Sequence, residues 1–192
     1  MIEQGNLPTQ RVNISTQKML GGIGSILMLL SWVPGIGIIS SIVGFVLWLI
    51  SMYQLSNILR KPSIFQKVLI GVILNIAGIV IAFAFGLMAG ILSFATMRDE
   101  AGAILGLGLG VVFAIVVAYA IIVVAFYFYK QAYEILASAT TQNLFKIAGL
   151  LMFIGAIAII LFGLGGLLIF VGYIVLAVAF FTAPNEVEVQ GT

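Results

Sequence analysis

Few side chains in the apolar part of this chain can bind a ligand, and these are amides and hydroxyls rather than acids, bases or thiols. Asn75 is the most polar group inside an apolar stretch, and Tyr119 lies within the next one. In a transporter such an amide binds a substrate or an ion. In a packed bundle it forms an interhelical hydrogen bond, worth about 0.6 kcal/mol on average. The sequence favours the packing role for Asn75, and the ligand role is the alternative.

The composition removes most catalytic chemistry. The chain contains no Cys and no His, which excludes thiolate nucleophiles, iron–sulfur ligation and the usual zinc sites. Its net charge of +2 is too small to indicate nucleic-acid binding. The six acidic residues lie in tails, in turns or near helix ends: Glu3, Asp99, Glu100, Glu134, Glu186 and Glu188. We therefore predict no catalytic residue, no cofactor and no metal site, and a protein that is not an enzyme.

The apolar stretches themselves indicate a membrane protein. The 192 residues are 63% hydrophobic and 7% charged, and the mean hydropathy is +1.30. Runs of about 18 or more apolar residues are typical of membrane-spanning helices, and several follow one another here. The predicted fold is all-α, a polytopic transmembrane helical bundle in contact with the lipid bilayer.

Turn residues divide the apolar block into about six helices, arranged as three hairpins. A polar N-terminal tail (1–15) and a C-terminal tail (184–192) flank a single transmembrane domain (16–183). The predicted spans are 16–32, 37–56, 63–96, 101–133, 144–162 and 166–182. The two middle spans are about 50 Å long at 1.5 Å per residue, against a hydrocarbon core of about 30 Å. The long middle hairpin must therefore either break or extend beyond the outer leaflet.

Basic residues set the predicted orientation. Six spans place both termini on one side, and seven of the eight Lys and Arg residues lie on that side. The positive-inside rule makes it cytoplasmic, so we expect a protein of the cytoplasmic membrane with both ends inside. Tyr53, Tyr129, Tyr133 and Phe181 are expected as interface anchors at cytoplasmic helix ends. Three lysines at helix entries are candidate contacts for lipid headgroups: Lys18, Lys67 and Lys146.

Glycines at four-residue spacing predict where helices approach closely. The candidate packing positions are Gly86 and Gly90 on the third span, Gly102, Gly106 and Gly110 on the fourth, and Ser40 and Gly44 on the second. The alternative is that glycine is simply frequent in membrane helices. Aligning Lys18 with Lys146 also superimposes glycines of the first hairpin on glycines of the third, which indicates an internal repeat. The alternative is a chance match, because glycine-rich apolar sequence matches itself easily.

Part of the sequence resembles a known family. The stretch Lys18-Met-Leu-Gly-Gly-Ile-Gly-Ser-Ile-Leu, the turn Val33-Pro34-Gly35-Ile36-Gly37 and the helix start Ser63-Ile64-Phe65 are similar to the prokaryotic, largely archaeal membrane family called domain of unknown function 996. The resemblance covers roughly residues 16 to 183. It implies an uncharacterised multi-pass membrane protein and assigns no functional residues, because its markers are turn and helix-start residues.

Together these features favour a non-catalytic membrane protein. We expect a structural, accessory or assembly component that packs against itself, as a homo-oligomer, or against another membrane protein. The alternative is a small channel or facilitator, whose pathway is lined by helices broken at Gly and Pro, by Asn75 and by Ser side chains.

Overall fold

A computed structural model describes residues 9–95, 100–161 and 163–190, with side chains described except at 9, 89, 90, 92–95, 100–107, 109, 110 and 190. The prediction of an all-α fold with six helices in three hairpins and a long middle hairpin is confirmed. In chain order the elements are β1 (Thr9–Asn13), α1 (Ser15–Leu29) with a 3₁₀ turn (Leu30–Trp32), α2 (Gly37–Ile58), α3 (Pro62–Ala95), α4 (Glu100–Thr140), α5 (Leu144–Ala158), α6 (Leu164–Thr182) and β2 (Glu186–Gln190).

Local turn chemistry explains most helix bounds. Gly35, between α1 and α2, and Gly163, between α5 and α6, have φ values of 93° and 81°. This left-handed conformation costs glycine little, because glycine has no Cβ to clash with the backbone. Pro62 starts α3, where its missing N–H is not needed for an intrahelical bond.

The end of α4 differs most from its predicted bound. The helix continues to Thr140, well past the expected end at Tyr133. Lys130 and Glu134, one helical turn apart, form an ion pair at 3.0 Å on its surface. The part of α4 after Tyr133 is rich in residues that favour helix formation, so the helix continues beyond the span predicted from the sequence.

The two helices of the middle hairpin are continuous over their described ranges. α3 has 34 residues and α4 has 41. At 1.5 Å per residue these helices are about 51 and 62 Å long. Of the two possibilities left by the sequence, a broken helix and a helix longer than the hydrocarbon core, the structure has the longer helix.

The chain forms two compact units, the first comprising the residues up to Val68 and those from Tyr129 onward. Within this unit α1 packs against α2 and α6, and α5 packs against α6. Phe145 and Phe180 form an edge-to-face pair with ring centroids 5.0 Å apart. The largest side chains that are almost fully buried here are Ile14, Met52, Leu55, Ile64, Leu136, Phe145, Leu176 and Phe180.

A two-stranded ribbon joins the two ends of the first unit. β1 and β2 pair antiparallel, with Arg11 opposite Glu188 and Val12 opposite Val187. Val187 is buried, whereas Arg11 and Glu188 are exposed, so one face of the ribbon is apolar and the other is charged. Both segments were predicted to be polar tails, and their pairing was not predicted.

The second unit, residues 69–128, contains the rest of α3 and α4. The two helices approach at Gly78, where an added Cβ would lie 3.3 Å from Ile121 Cγ2. Ala114 and Ala118 are buried, whereas Phe83 is 68% exposed. Because so much apolar surface is exposed, the unit suits a lipid environment better than water.

Among the described residues, four helices are long and apolar enough to cross a membrane. They are Gly37–Ile58, Pro62–Met88, Val111–Thr140 and Leu164–Thr182. α5 is apolar but shorter, at 15 residues. The helices therefore have the length and the apolar composition that a membrane protein requires, as the sequence composition indicated.

Candidate functional site

The first close helix crossing joins α1 and α2 through two glycines. A Cβ at Gly44 would lie 2.7 Å from the carbonyl oxygen of Gly24, and a Cβ at Gly24 would lie 2.7 Å from that of Gly44. Backbone therefore meets backbone, and no side chain fits between them. Ser40, predicted as a second packing position, is half-buried. Its hydroxyl donates to the carbonyl of Ile36, four residues earlier, at 2.8 Å.

A second close crossing of two glycines joins α5 and α6. A Cβ at Gly155 would lie 2.8 Å from the carbonyl oxygen of Gly165, and a Cβ at Gly165 would overlap Gly155 and the backbone of Ile159. The sequence analysis did not single out Gly24, Gly155 or Gly165 as packing positions. Two facing glycines in separate helices have no signal that distinguishes them from any other glycine in the chain.

The turns of these two hairpins correspond position by position in the register of the predicted repeat. Gly35 and Gly163 both have positive φ. Gly37 is packed against Ser31, and Gly165 is packed against Ile159, the residue equivalent to Ser31 in that register. α1 and α5 each have 15 residues. The two turns therefore have the same local geometry, and the internal repeat stays a prediction.

The glycines of the middle hairpin differ from those at the crossings. Among the described residues, no atom would lie within 4 Å of a Cβ at Gly86. It lies in an open apolar groove of about 580 Å³. The groove is lined by Gly78, Ile79, Ala82, Phe83, Gly86, Leu87, Ala118 and Ile122. The surroundings of Gly90, Gly102, Gly106 and Gly110 lie outside the described residues, so their packing roles stay predictions.

The predicted intramembrane polar residues lie in the second unit. Asn75 and Tyr119 are both half-buried, and each takes part in an interaction with other residues. Their roles as ligand or packing residues stay predictions.

Three buried serines in the first unit are satisfied by backbone carbonyls. Ser25 donates to Gly21 at 2.8 Å, which is the usual bond to the preceding helical turn. Ser51 donates to Gln17 at 2.7 Å, and Ser56 donates to Lys61 at 3.0 Å. Each hydroxyl proton is therefore used within the chain.

The three entry lysines have different surroundings. The Lys18 ammonium donates to the carbonyl of Ala183 at 2.7 Å, just past the end of α6, where a cation suits the helix dipole. Lys67 is half-buried and has a partner within the protein, whereas Lys146 is exposed. A lipid headgroup role for these lysines stays a prediction, and Lys18 also has a structural role.

An aromatic cluster in the first unit was not anticipated. Trp48 is 4% exposed and lies edge-to-face with Tyr129 and Tyr133, at centroid distances of 5.8 and 6.4 Å. Tyr133, expected as an interface anchor, is 2% exposed and therefore belongs to the core. The Trp48 indole nitrogen is buried and interacts with the Tyr133 hydroxyl, although the pair falls outside strict hydrogen-bond geometry.

The family called "Protein of unknown function (DUF996)" matches residues 40–174, more than half of the chain. The chain belongs to this family. The resemblance drawn from the sequence is confirmed, although the motif at 18–37 lies outside the matched range. The chain is also 34% identical over 179 residues to "Uncharacterized protein MJ1644" of Methanocaldococcus jannaschii, an alignment covering 93% of this chain and 97% of that protein. No solved structure shows a significant match to the chain.

Proposed function

We propose that this member of the DUF996 family is a non-catalytic protein of the cytoplasmic membrane that acts as a structural, accessory or assembly component. It does so by packing the groove around Gly86 against a helix of a second copy or of another membrane protein. The observation that carries this proposal is the open space at Gly86.

Some glycines of this chain allow close contact between two of its own helices, and others do not. At Gly24, Gly44, Gly155 and Gly165 the missing side chain lets two backbones of the same chain meet. At Gly86 no atom of the described chain occupies that space. A glycine inside a helix costs roughly 1 kcal/mol relative to alanine. That cost is offset if a partner helix uses the gap, because close backbone contact stabilises helix pairs in lipid.

The ribbon of β1 and β2 supports the predicted topology of six crossings with both termini in the cytoplasm. Two segments that pair lie on the same side of the bilayer, which requires an even number of crossings between them. α1 and α5 are short, but together with their following turns they approach the thickness of the hydrocarbon core. Their exposed apolar side chains, such as Ile23 at 41% and Ile147 at 47%, suit contact with lipid.

The internal repeat is part of the same proposal. We infer that the first and third hairpins are two copies of one packing unit, in the register that aligns Lys18 with Lys146. Because an even number of helices separates them, the copies share one orientation, and their symmetry axis lies along the membrane normal.

The channel alternative is less well supported. The buried serines at 25, 51 and 56 donate their protons to backbone carbonyls, so they are not free to donate to a passing solute. The described groove at Gly86 is open and is lined by apolar residues. Such a surface suits a helix better than a hydrated path.

A matched pair of substitutions tests the proposal. We expect Gly86→Leu to fill the groove and to weaken association in mild detergent, measured as oligomer size or co-purifying partner. Gly108→Leu is the control, because no described atom lies within 4 Å of the Gly108 Cβ position either, and Gly108 does not line the groove. Association that is unchanged in Gly86→Leu, or equally reduced in both variants, would remove the support for this surface. Solute flux in proteoliposomes that falls on Asn75→Leu would favour the channel instead.

A further inference from the structure

Two of the three hairpin turns carry no charged residue. Residues 19–59 and 147–185 contain no Asp, Glu, Lys or Arg. The first turn, around Gly35, and the third turn, around Gly163, lie near the middle of these two stretches. The middle hairpin differs, because the sequence at its turn is Arg98-Asp99-Glu100. A turn that ends in water normally carries polar side chains, so the first and third turns have the composition of a surface that avoids water.

The side chains that these two turns expose are large and apolar. Around the first turn, Trp32 and Ile36 are exposed, and Ile38 is 79% exposed. At the third turn, Leu161 is exposed, and Ile160 is 66% exposed. The described chain leaves these side chains uncovered. A favourable apolar environment for them therefore has to come from outside the chain.

The backbone of both turns also suits an environment without water. At the first turn the amide of Gly37 donates to the carbonyl of Val33 at 3.0 Å. At the third turn the amide of Leu161 donates to the carbonyl of Ala158 at 2.8 Å, and the amide of Leu164 donates to that of Leu161 at 3.1 Å. Such internal bonds are what a backbone in lipid requires, because no water replaces a missing partner there.

Helix lengths indicate how far the turns lie from the cytoplasmic side. That side is polar where the Gln17 side chain donates to Gln54 at 3.1 Å, next to Lys18. From Gln54 to Gly37, α2 rises about 26 Å at 1.5 Å per residue. α6 is about 29 Å long and ends beside Ala183, whose carbonyl accepts from Lys18. Because the hydrocarbon core is about 30 Å thick, and tilt only shortens these heights, both turns end near its outer boundary.

We propose that the turns around Gly35 and Gly163 lie in the outer leaflet, against lipid acyl chains, and do not enter the external water. This inference rests on the proposed function, because it uses the six-crossing topology. All Asp, Glu, Lys and Arg side chains of the first unit then lie on the cytoplasmic side. A water-soluble partner of this unit that is recognised by charge therefore binds from the cytoplasm.

Spin labels on single cysteines test the proposal, because the chain has no cysteine of its own. Ile36→Cys and Ile160→Cys carry the label in the two turns, at exposed positions where the substitution leaves the core intact. Lys61→Cys, at an exposed position between α2 and α3, is the control in water. Each protein is labelled in detergent and reconstituted into vesicles of phosphatidylcholine and phosphatidylglycerol.

Collisions of the label with two relaxing agents report its surroundings. Oxygen dissolves in lipid, whereas a polar nickel chelate, present on both sides of the bilayer, is excluded from hydrocarbon. We expect the nickel-chelate collision rate to be about tenfold lower at both turns than at Lys61, and the oxygen collision rate to be higher.

Two results would overturn the proposal. A nickel-chelate rate as high at either turn as at Lys61 would place that turn in water. Low rates with both agents would show that a protein surface, and not lipid, covers the turns. The collision rates do not depend on association through Gly86, so failure of this inference is distinguishable from failure of the Gly86→Leu test of the proposed function.

Discussion

Replacement of Gly44 by alanine should separate α1 from α2. The added Cβ would lie 2.7 Å from the carbonyl oxygen of Gly24 and 2.8 Å from the backbone nitrogen of Met28. Both atoms belong to the backbone, so they cannot rotate away as the end of a flexible side chain can. The overlap is relieved only if the two helices move apart, which loosens every contact along their crossing.

Two opposing effects set the size of the change in the free energy of unfolding. Alanine stabilises a helix interior by about 1 kcal/mol relative to glycine. Overpacking a tight contact costs about 1–3 kcal/mol. Gly108→Ala is the matched control, because it gains the helix propensity and its Cβ meets no atom within 4 Å. The difference between the two variants isolates the overlap, about 1–3 kcal/mol, or roughly 5- to 150-fold in the unfolding equilibrium.

Unfolding by SDS in mild-detergent micelles measures this difference. In a Trp32→Phe background the emission of Trp48 reports on the crossing, because the backbone nitrogen of Trp48 lies 2.7 Å from the Cβ position of Gly24. We expect Gly44→Ala to unfold at a lower SDS fraction than Gly108→Ala. Equal stability of the two variants would refute the close approach of α1 and α2.

Three further predictions concern the ends of the chain. Lys18→Met should lower the free energy of unfolding by about 1–2 kcal/mol, because the charged donor to the end of α6 is lost. Lys146→Met should leave the free energy of unfolding unchanged, because Lys146 is exposed. SDS unfolding compares the two variants. Arg11→Ala should change stability by less than about 0.5 kcal/mol in the same assay, because its ion pair with Glu188 is long and exposed. Single cysteines at Gln10 and Glu186 should both resist a membrane-impermeant thiol reagent until cells are permeabilised, and labelling of one end alone would contradict the proposed topology.

Much of the fold is encoded locally, and those parts were predicted from the sequence. The turns at Gly35 and Gly163 separate apolar runs, and each requires a conformation that glycine adopts easily. The end of α4 was not predicted, because the apolar run was taken to end at Tyr133, before the charged residue Glu134 and the residues that follow it. Their helix propensity and their place in the first unit keep them helical.

Features that depend on distant segments could not be read from the sequence. β1 pairs with a strand near the opposite end of the chain, and each strand has only five residues. The alternation of Glu and Val from Glu186 to Val189 is its one local signal. The burial of Tyr133 likewise depends on which helices surround it, so its position near a helix end indicated an interface anchor.

The candidate packing residues also show what the sequence can and cannot predict. Spacing identified Gly44 as a packing position, and the structure places it at a backbone crossing. Spacing identified Gly86 in the same way, yet its position is open in the described chain. The sequence pattern for close packing is the same at both positions. Only the structure shows that Gly44 meets backbone of its own chain and that Gly86 meets no described atom.

Cysteine cross-linking in native membranes tests helix packing through the groove most directly. The chain has no cysteine, so each variant carries a single thiol. Ala82→Cys places it in the groove, and Ile115→Cys places it at a position on the hairpin that is 61% exposed and does not line the groove. We predict that Ala82→Cys forms a disulfide-linked dimer or a bismaleimide adduct with one partner protein and that Ile115→Cys does not. Equal, low cross-linking of both variants would contradict the proposed function.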